Sequence, residues 1–152
     1  MGTQQILLIV LSVIIVGAAI AVGITMFNNQ SYSSNKTSIA SDAQSFATQV
    51  VQYYKTPASQ GGADRSDTNM TEANIGNFIG WGATSTTTEN GSYKVVKGGT
   101  DIIYVYGLGK EKKGTTYPAV RTKIEFPEGK ISAKVIDTTV TTIADLTTGF
   151  GS

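Results

Sequence analysis

Few side chains in this sequence have the types and spacing that chemistry requires. Asp64 and Asp67 in "ADRSD", with Asp101 in another turn, supply loop carboxylates of the kind that ligate Ca²⁺. The EF-hand spacing is absent, and solvated loop residues are the commoner meaning of such a pattern. Lys110, Lys112 and Lys113 crowd "GLGKEKKGTT", whose glycines lack the Walker spacing of a phosphate cradle. That stretch reads as an exposed hairpin tip, a candidate surface for adhesion or DNA. Tyr53, Tyr54, Tyr93, Tyr104, Tyr106 and Tyr117 raise stacking or electron transfer, but core and interface packing is the usual employment of such side chains.

The chain contains no Cys and no His, which removes disulfides, thiolate or imidazole metal sites, nucleophilic Cys and the commonest general base. An active site would have to use Asp, Glu, Lys or Tyr alone, and no pair of them sits at a recognisable catalytic spacing. No catalytic residue, metal or cofactor is expected. A net charge of +1 over a Thr- and Gly-rich region supplies no basic stripe, so nucleic acid is not an expected partner. Asn29, Asn35, Asn69 and Asn90 each begin an N-x-Ser/Thr triplet, which suits glycosylation of an extracellular surface, although Thr-rich composition produces such triplets by chance.

The elements that carry these residues are written in two alphabets. Residues 1–35 contain no charged side chain; all 12 Lys and Arg and all 11 Asp and Glu lie from Lys36 onward. Residues 6–27 form an apolar run that would span about 33 Å as a helix, the thickness of a bilayer's hydrocarbon core. The run holds 15 large apolar side chains. At about 1.5–3 kcal/mol each, leaving them in water costs tens of kcal/mol. A secretory signal has a basic n-region and a shorter apolar stretch, neither of which is found here, and Ile6 spoils the myristoylation pattern. A single-pass anchor normally has flanking Lys or Arg, whereas the nearest here is Lys36. The small residues Gly17, Ala18, Ala19, Ala21 and Gly23 cluster where they let helices approach closely.

After Phe27 no Pro occurs before Pro57 and no Gly before Gly61, so nothing forces the helix to stop. Ile39, Ala43, Phe46, Ala47, Val50 and Tyr54 recur in steps that place them on one face, a stripe that needs a partner surface. "NNQSYSSN" is the weak link, where Asn and Ser favour bends or fraying. Gly17 and Gly23 each weaken a helix by about 1 kcal/mol relative to Ala, so any melting within the apolar half belongs between them; a straight helix is the alternative. Pro57, Gly61 and Gly62 end the helix, which would then be about 80 Å long. Residues 59–88 read as a long loop with an apolar plug, "NFIGW", whose Trp81 fills a hole. "GSYKVVKGGTDIIYVYG" and "YPAVRTKIEFPEGKISAKVID" each alternate apolar and polar residues about a turn and predict two β-hairpins, the second with one wet face. The last 15 residues fit a strand, a helical turn or a tail. The predicted class is α+β: a helix over 1–55, apolar in 1–28 and amphipathic in 29–55, packed on an antiparallel sheet of about four strands within 56–152.

An uncharged apolar helix running into an amphipathic half, then a loop and an antiparallel sheet, resembles a type IV pilin. The resemblance covers the whole architecture. "GTQQILLIVLSVIIVGAAIAVGITMF" carries most of it, and "QYYKTPASQGG" is similar to small bacterial members. It implies a subunit held in the cytoplasmic membrane by its apolar helix, in contact with lipid and then with pilus assembly machinery. The subunit is then packed into an extracellular helical homopolymer at the cell surface. The resemblance assigns core packing to Ile6, Leu7, Leu11, Ile14, Gly17, Ala18, Ala21 and Gly23, and packing on the sheet to Ile39, Ala43, Phe46, Val50 and Tyr54. It gives register to Met1, Gln4 and Gln5. Family members carry Glu at the fifth mature position, where it compensates a neighbour's N-terminal amine; here that position is Gln5 if Met1 is the mature start. Gln accepts a hydrogen bond from an ammonium without neutralising it. The helix-breaking Pro that many members carry is also missing.

The function expected is structural, a filament subunit without enzymatic activity. One alternative on the same fold is a minor subunit of a secretion pseudopilus. Another, from a different class, is a binding domain held in the bilayer by a single span. Adhesion, motility, DNA uptake and conductivity all employ this scaffold, and the sequence does not choose among them.

Overall fold

The protein is described here by a computed structural model that covers residues 2–150. Met1, assigned to register, and the last two residues of the C-terminal stretch lie outside the described residues. Helix α1, Gly2–Lys55, runs without interruption. The "NNQSYSSN" stretch does not break it. Just beyond, the Thr37 and Ser38 hydroxyls donate to the carbonyls of Ser33 and Ser34, four residues back, so these polar side chains are satisfied within the helix instead of unwinding it.

The helix ends as the prolyl and glycyl residues predict, and the following chain folds back to cap it. Three exposed carbonyls at its C-terminus, those of Tyr53, Tyr54 and Thr56, accept from the backbone N–H groups of Ala63, Arg65 and Asp64. The 59–88 stretch has more order than a loop. It contains the helix α2, Glu72–Ile79, capped by the Thr71 hydroxyl accepting from the Asn74 N–H at 3.2 Å and closed by Gly80 in the left-handed region. It also contributes the short strand β1, Ser85–Thr87. With Asn, Gly and only eight residues, α2 has too little helical propensity and periodicity to stand out in the sequence. Trp81 packs edge-on to Phe46 with ring centroids 5.0 Å apart, consistent with a plug.

Strands β2 (Gly91–Gly99), β3 (Ile102–Gly109), β4 (Tyr117–Glu125) and β5 (Lys130–Thr138) complete a five-stranded antiparallel sheet in sequence order. The α+β expectation holds, with β1 added to the four anticipated strands. Because side chains alternate between faces, the register fixes two surfaces. Tyr93, Val95, Ile103, Val105, Val120, Thr122 and Ile124 are buried on the face under α1, which lies mainly over β3 and β4. Ile39, Ala43, Val50 and Tyr54 are buried against that face as the stripe predicted, and Phe46 is half-buried.

The opposite face is wet along most of the second hairpin, where Arg121, Lys123 and Glu125 are half-buried and β5 is largely exposed, and dry over β3. Tyr104, Tyr106, Leu108, Ala119 and Ile136 are covered by the C-terminal segment through Val140, Ile143, Leu146 and Phe150. That segment ends in the helical turn α3, Leu146–Gly149. The Arg121 guanidinium lies 5.2 Å from the Tyr104 ring centre and 5.3 Å from that of Phe150, so its charge is held against aromatic faces.

One core atom is unusual. Thr122 is fully buried, and its hydroxyl oxygen has no hydrogen-bond partner among the described residues. A buried, unsatisfied hydroxyl costs about 1–3 kcal/mol, and Val has nearly the same shape without that oxygen. Thr122→Val is therefore expected to raise stability by about 1 kcal/mol, read as a higher midpoint of thermal unfolding in detergent. A lower midpoint would show that the hydroxyl is satisfied.

Candidate functional site

Two surfaces stand out, and they belong to the same helix. The first is the N-terminal half of α1. All 15 large apolar side chains of residues 6–27 are exposed, from 50% at Val10 to 71% at Phe27. Ile6, Leu7, Leu11, Ile14, Gly17, Ala18, Ala21 and Gly23 all lie on this exposed rod. At Gly17 and Gly23 an added Cβ would meet nothing within 4 Å. The segment is long and apolar enough to cross a membrane. Its few polar groups make no demand on surroundings: the Ser12 hydroxyl donates to the Ile9 carbonyl at 2.8 Å and that of Thr25 to Ala21 at 3.0 Å. Gln4 and Gln5 lie exposed in the first turns.

The second is the junction where α1 enters the globular head. Asn35 is 9% exposed and bridges two strand connections. Its amide nitrogen donates to the Asn90 carbonyl at 2.7 Å, and its oxygen accepts from the Glu111 N–H at 3.3 Å. Gly109 permits the approach, since a Cβ there would stand 2.2 Å from the Asn35 oxygen. One turn away, Asp137 accepts from both the Tyr32 hydroxyl at 2.6 Å and the Lys36 ammonium at 2.7 Å. Two turns beyond Asn35, Asp42 accepts from the Tyr93 hydroxyl at 2.7 Å and the Asn90 amide at 2.8 Å. These contacts fix both the rotation of the helix and its axial position on the sheet.

Asn35, which begins one of the four N-x-Ser/Thr triplets, is a structural residue in this fold, its amide nitrogen engaged with the Asn90 carbonyl. The amide nitrogens of Asn69 and Asn90 are also engaged, with the Ala63 carbonyl at 3.2 Å and with Asp42. Asn29 is exposed on α1. The loop carboxylates do not converge. Asp67 binds the Lys97 ammonium at 2.9 Å and accepts from the Asp101 N–H at 3.1 Å, and no cluster able to hold a metal ion occurs among the described residues.

Tyr32, Asn35 and Asp42 were missed as anchors. Their signal was present: Tyr32 and Asn35 extend the stripe backwards from Ile39 at the same spacing, once polar residues are admitted to it. The notch between helix and head, about 450 Å³, is lined by hydroxyls and amides together with Glu89 and Glu111, which suits water better than an apolar ligand. Comparison of the chain with protein-family models, with curated proteins and with solved structures finds no significant match.

The clamp titrates. Hydrogen bonds from Lys36 first, then from Tyr32, hold the Asp137 carboxyl below its usual range, while burial first and Asp137 second push the Tyr32 hydroxyl up to about 12. A depressed carboxyl pKa adds stability above its unfolded value of about 4 and loses it as pH falls through the folded value. The raised phenol adds stability below about 10 and loses it as pH rises toward 12. Both groups are partly solvated, so the pair is worth about 1 kcal/mol. Asp137→Asn should lower stability at neutral pH by about 1 kcal/mol, read as a lower unfolding midpoint, and flatten the acid limb, as followed by circular dichroism across pH. An unchanged acid limb would show that Asp137 does not contribute.

Proposed function

We propose that this chain is a structural subunit of a type IV pilus-like filament. The carrying observation is the continuity of α1: one half is locked to the head by packing and charge, while the other is uncharged, apolar and without a partner in its own chain. Such a half-helix is stable in only two settings, hydrocarbon or a bundle of its own kind, and the filament reading uses both in succession. Before assembly the chain sits in the cytoplasmic membrane. After assembly the apolar halves form the core of a cell-surface polymer and the heads its outside.

Gly17, Ala18 and Ala21 favour packing over simple anchoring. On a helix they fall within a sector of about 100°, a strip without bulk where a second helix can approach at backbone distance. A span that met only lipid would gain nothing from that strip. The expected partners are further copies of the chain and the machinery that extracts it, with neither cofactor nor catalytic step.

The test is to replace Gly17, Ala18 and Ala21 together by Leu. No contact within the monomer is disturbed at Gly17, where a Cβ meets open space. Membrane insertion is expected to persist, while sheared cell-surface filaments, seen by negative-stain microscopy, fall at least about tenfold. Normal filaments from this variant would remove the packing role. Recovery of the unaltered chain only in detergent-soluble membranes, with no sedimentable polymer, would overturn the filament in favour of a single-span anchor.

A further inference from the structure

The connection between β3 and β4, residues 110–116, is the most lysine-dense stretch of the head, and the fold places it at the end nearest the apolar helix. One hydrogen bond locates it: the Glu111 N–H donates to the Asn35 side-chain oxygen at 3.3 Å, and Asn35 lies one helical turn beyond Tyr32. Tyr32 is five residues beyond Phe27 and Asn35 eight, or about 8 and 12 Å along the helix axis. The headgroup layer of a bilayer is about 5–8 Å deep on each side. With residues 6–27 in the hydrocarbon, the loop's anchor at Asn35 lies about 4–7 Å outside the headgroup layer, within reach of extended lysine side chains.

Its charges are not locked in close ion pairs, although Lys113 lies near enough to Asp137 to help hold that carboxyl down. Lys110, Lys112 and Lys113 are exposed, and none forms an ion pair among the described residues, whereas Lys36, Lys97 and Lys123 are each bonded to a carboxylate. Opposing them at this end are Glu111 in the same loop and Glu89 in the β1–β2 turn, both lining the notch beside α1. Asp137, also close by, is already matched by Lys36.

We propose that the 110–116 loop is a membrane-surface contact, in which Lys110, Lys112 and Lys113 bind anionic phospholipid headgroups while the chain is held in the bilayer. This rests on the reading of residues 6–27 as the inserted segment. The contact lies to one side of α1, so it sets the tilt of the helix and holds the head against the bilayer until extraction. Each lysine near an anionic surface multiplies the bound population by about fivefold, and the attraction decays within a Debye length of about 8 Å at physiological salt.

The chain has no Cys, so single cysteines can be placed for labelling. The full chain carrying Thr115→Cys, or Thr100→Cys in the distal β2–β3 turn, is fluorescently labelled and reconstituted in vesicles. These contain phosphatidylcholine alone or phosphatidylcholine with phosphatidylglycerol, plus a headgroup-attached quencher. Quenching at position 115 should increase with phosphatidylglycerol, reverse at high salt and fall at least about tenfold in bound-to-free ratio when Lys110, Lys112 and Lys113 are all changed to Gln. Position 100 should show none of this. Quenching at 115 that ignores phosphatidylglycerol, or that survives the triple change, would overturn the loop assignment while the chain remains resistant to alkaline wash. Release of the chain by alkaline wash would overturn the membrane reading itself and the loop contact with it.

Discussion

The docking of one half of α1 onto the sheet is the constraint from which the rest follows. A helix of 54 residues is about 80 Å long, yet the head covers it only from Tyr32 to Tyr54, about 33 Å. Within that length the axial position cannot slide. Ile39, Ala43, Ala47 and Val50 fill the concave side of β3 and β4, while Asn35, Asp42 and the Tyr32–Asp137–Lys36 clamp engage three separate strand connections or ends. Since the helix is unbroken, fixing its second half also fixes where the first half leaves the head.

The sheet serves this arrangement by being covered on both faces at its centre, while β5 is exposed along most of its length. Its inner face accepts the helix, with Gly107 leaving room for the Tyr93 ring; a Cβ there would stand 3.0 Å from it. Its outer face is closed by the C-terminal segment, with Arg121 between Tyr104 and Phe150. At the distal end the returning 63–65 segment caps the carbonyls of α1, and the Asp67–Lys97 pair ties the same excursion to β2. The head is thereby complete by itself, and the uncovered apolar surface is concentrated on residues 6–27. That separation is what a subunit needs if it must remain folded both in a membrane and in a polymer.

Polarity follows the same axis. The end of the head nearest the apolar half of α1 carries hydroxyls, amides and the 110–116 lysines, whereas the distal end carries the β2–β3 and β4–β5 turns and the α2 excursion. Burial at the junction rests on matched charge and hydrogen bonds rather than apolar area, as expected for a region at the edge of the core that meets water.

The sequence by itself determined the elements. Unbroken hydropathy and missing helix stops define α1, its stripe at Ile39, Ala43, Val50 and Tyr54 defines the docked face, and β-branched alternation about Gly-rich turns defines β2 to β5. Each is a local periodic signal, read from neighbours in the chain. Tertiary structure decided what depends on residues far apart: the capture of Tyr32 by Asp137, the burial of Asn35 beneath Gly109, the closing of the outer face by Phe150, and the folding of α2. Asn35 illustrates the difference, since its N-x-Thr triplet is local while its hydrogen bonds reach residues 55 and 76 positions away. A polar side chain is read as exposed until a distant partner is found for it, and only the folded chain supplies that partner.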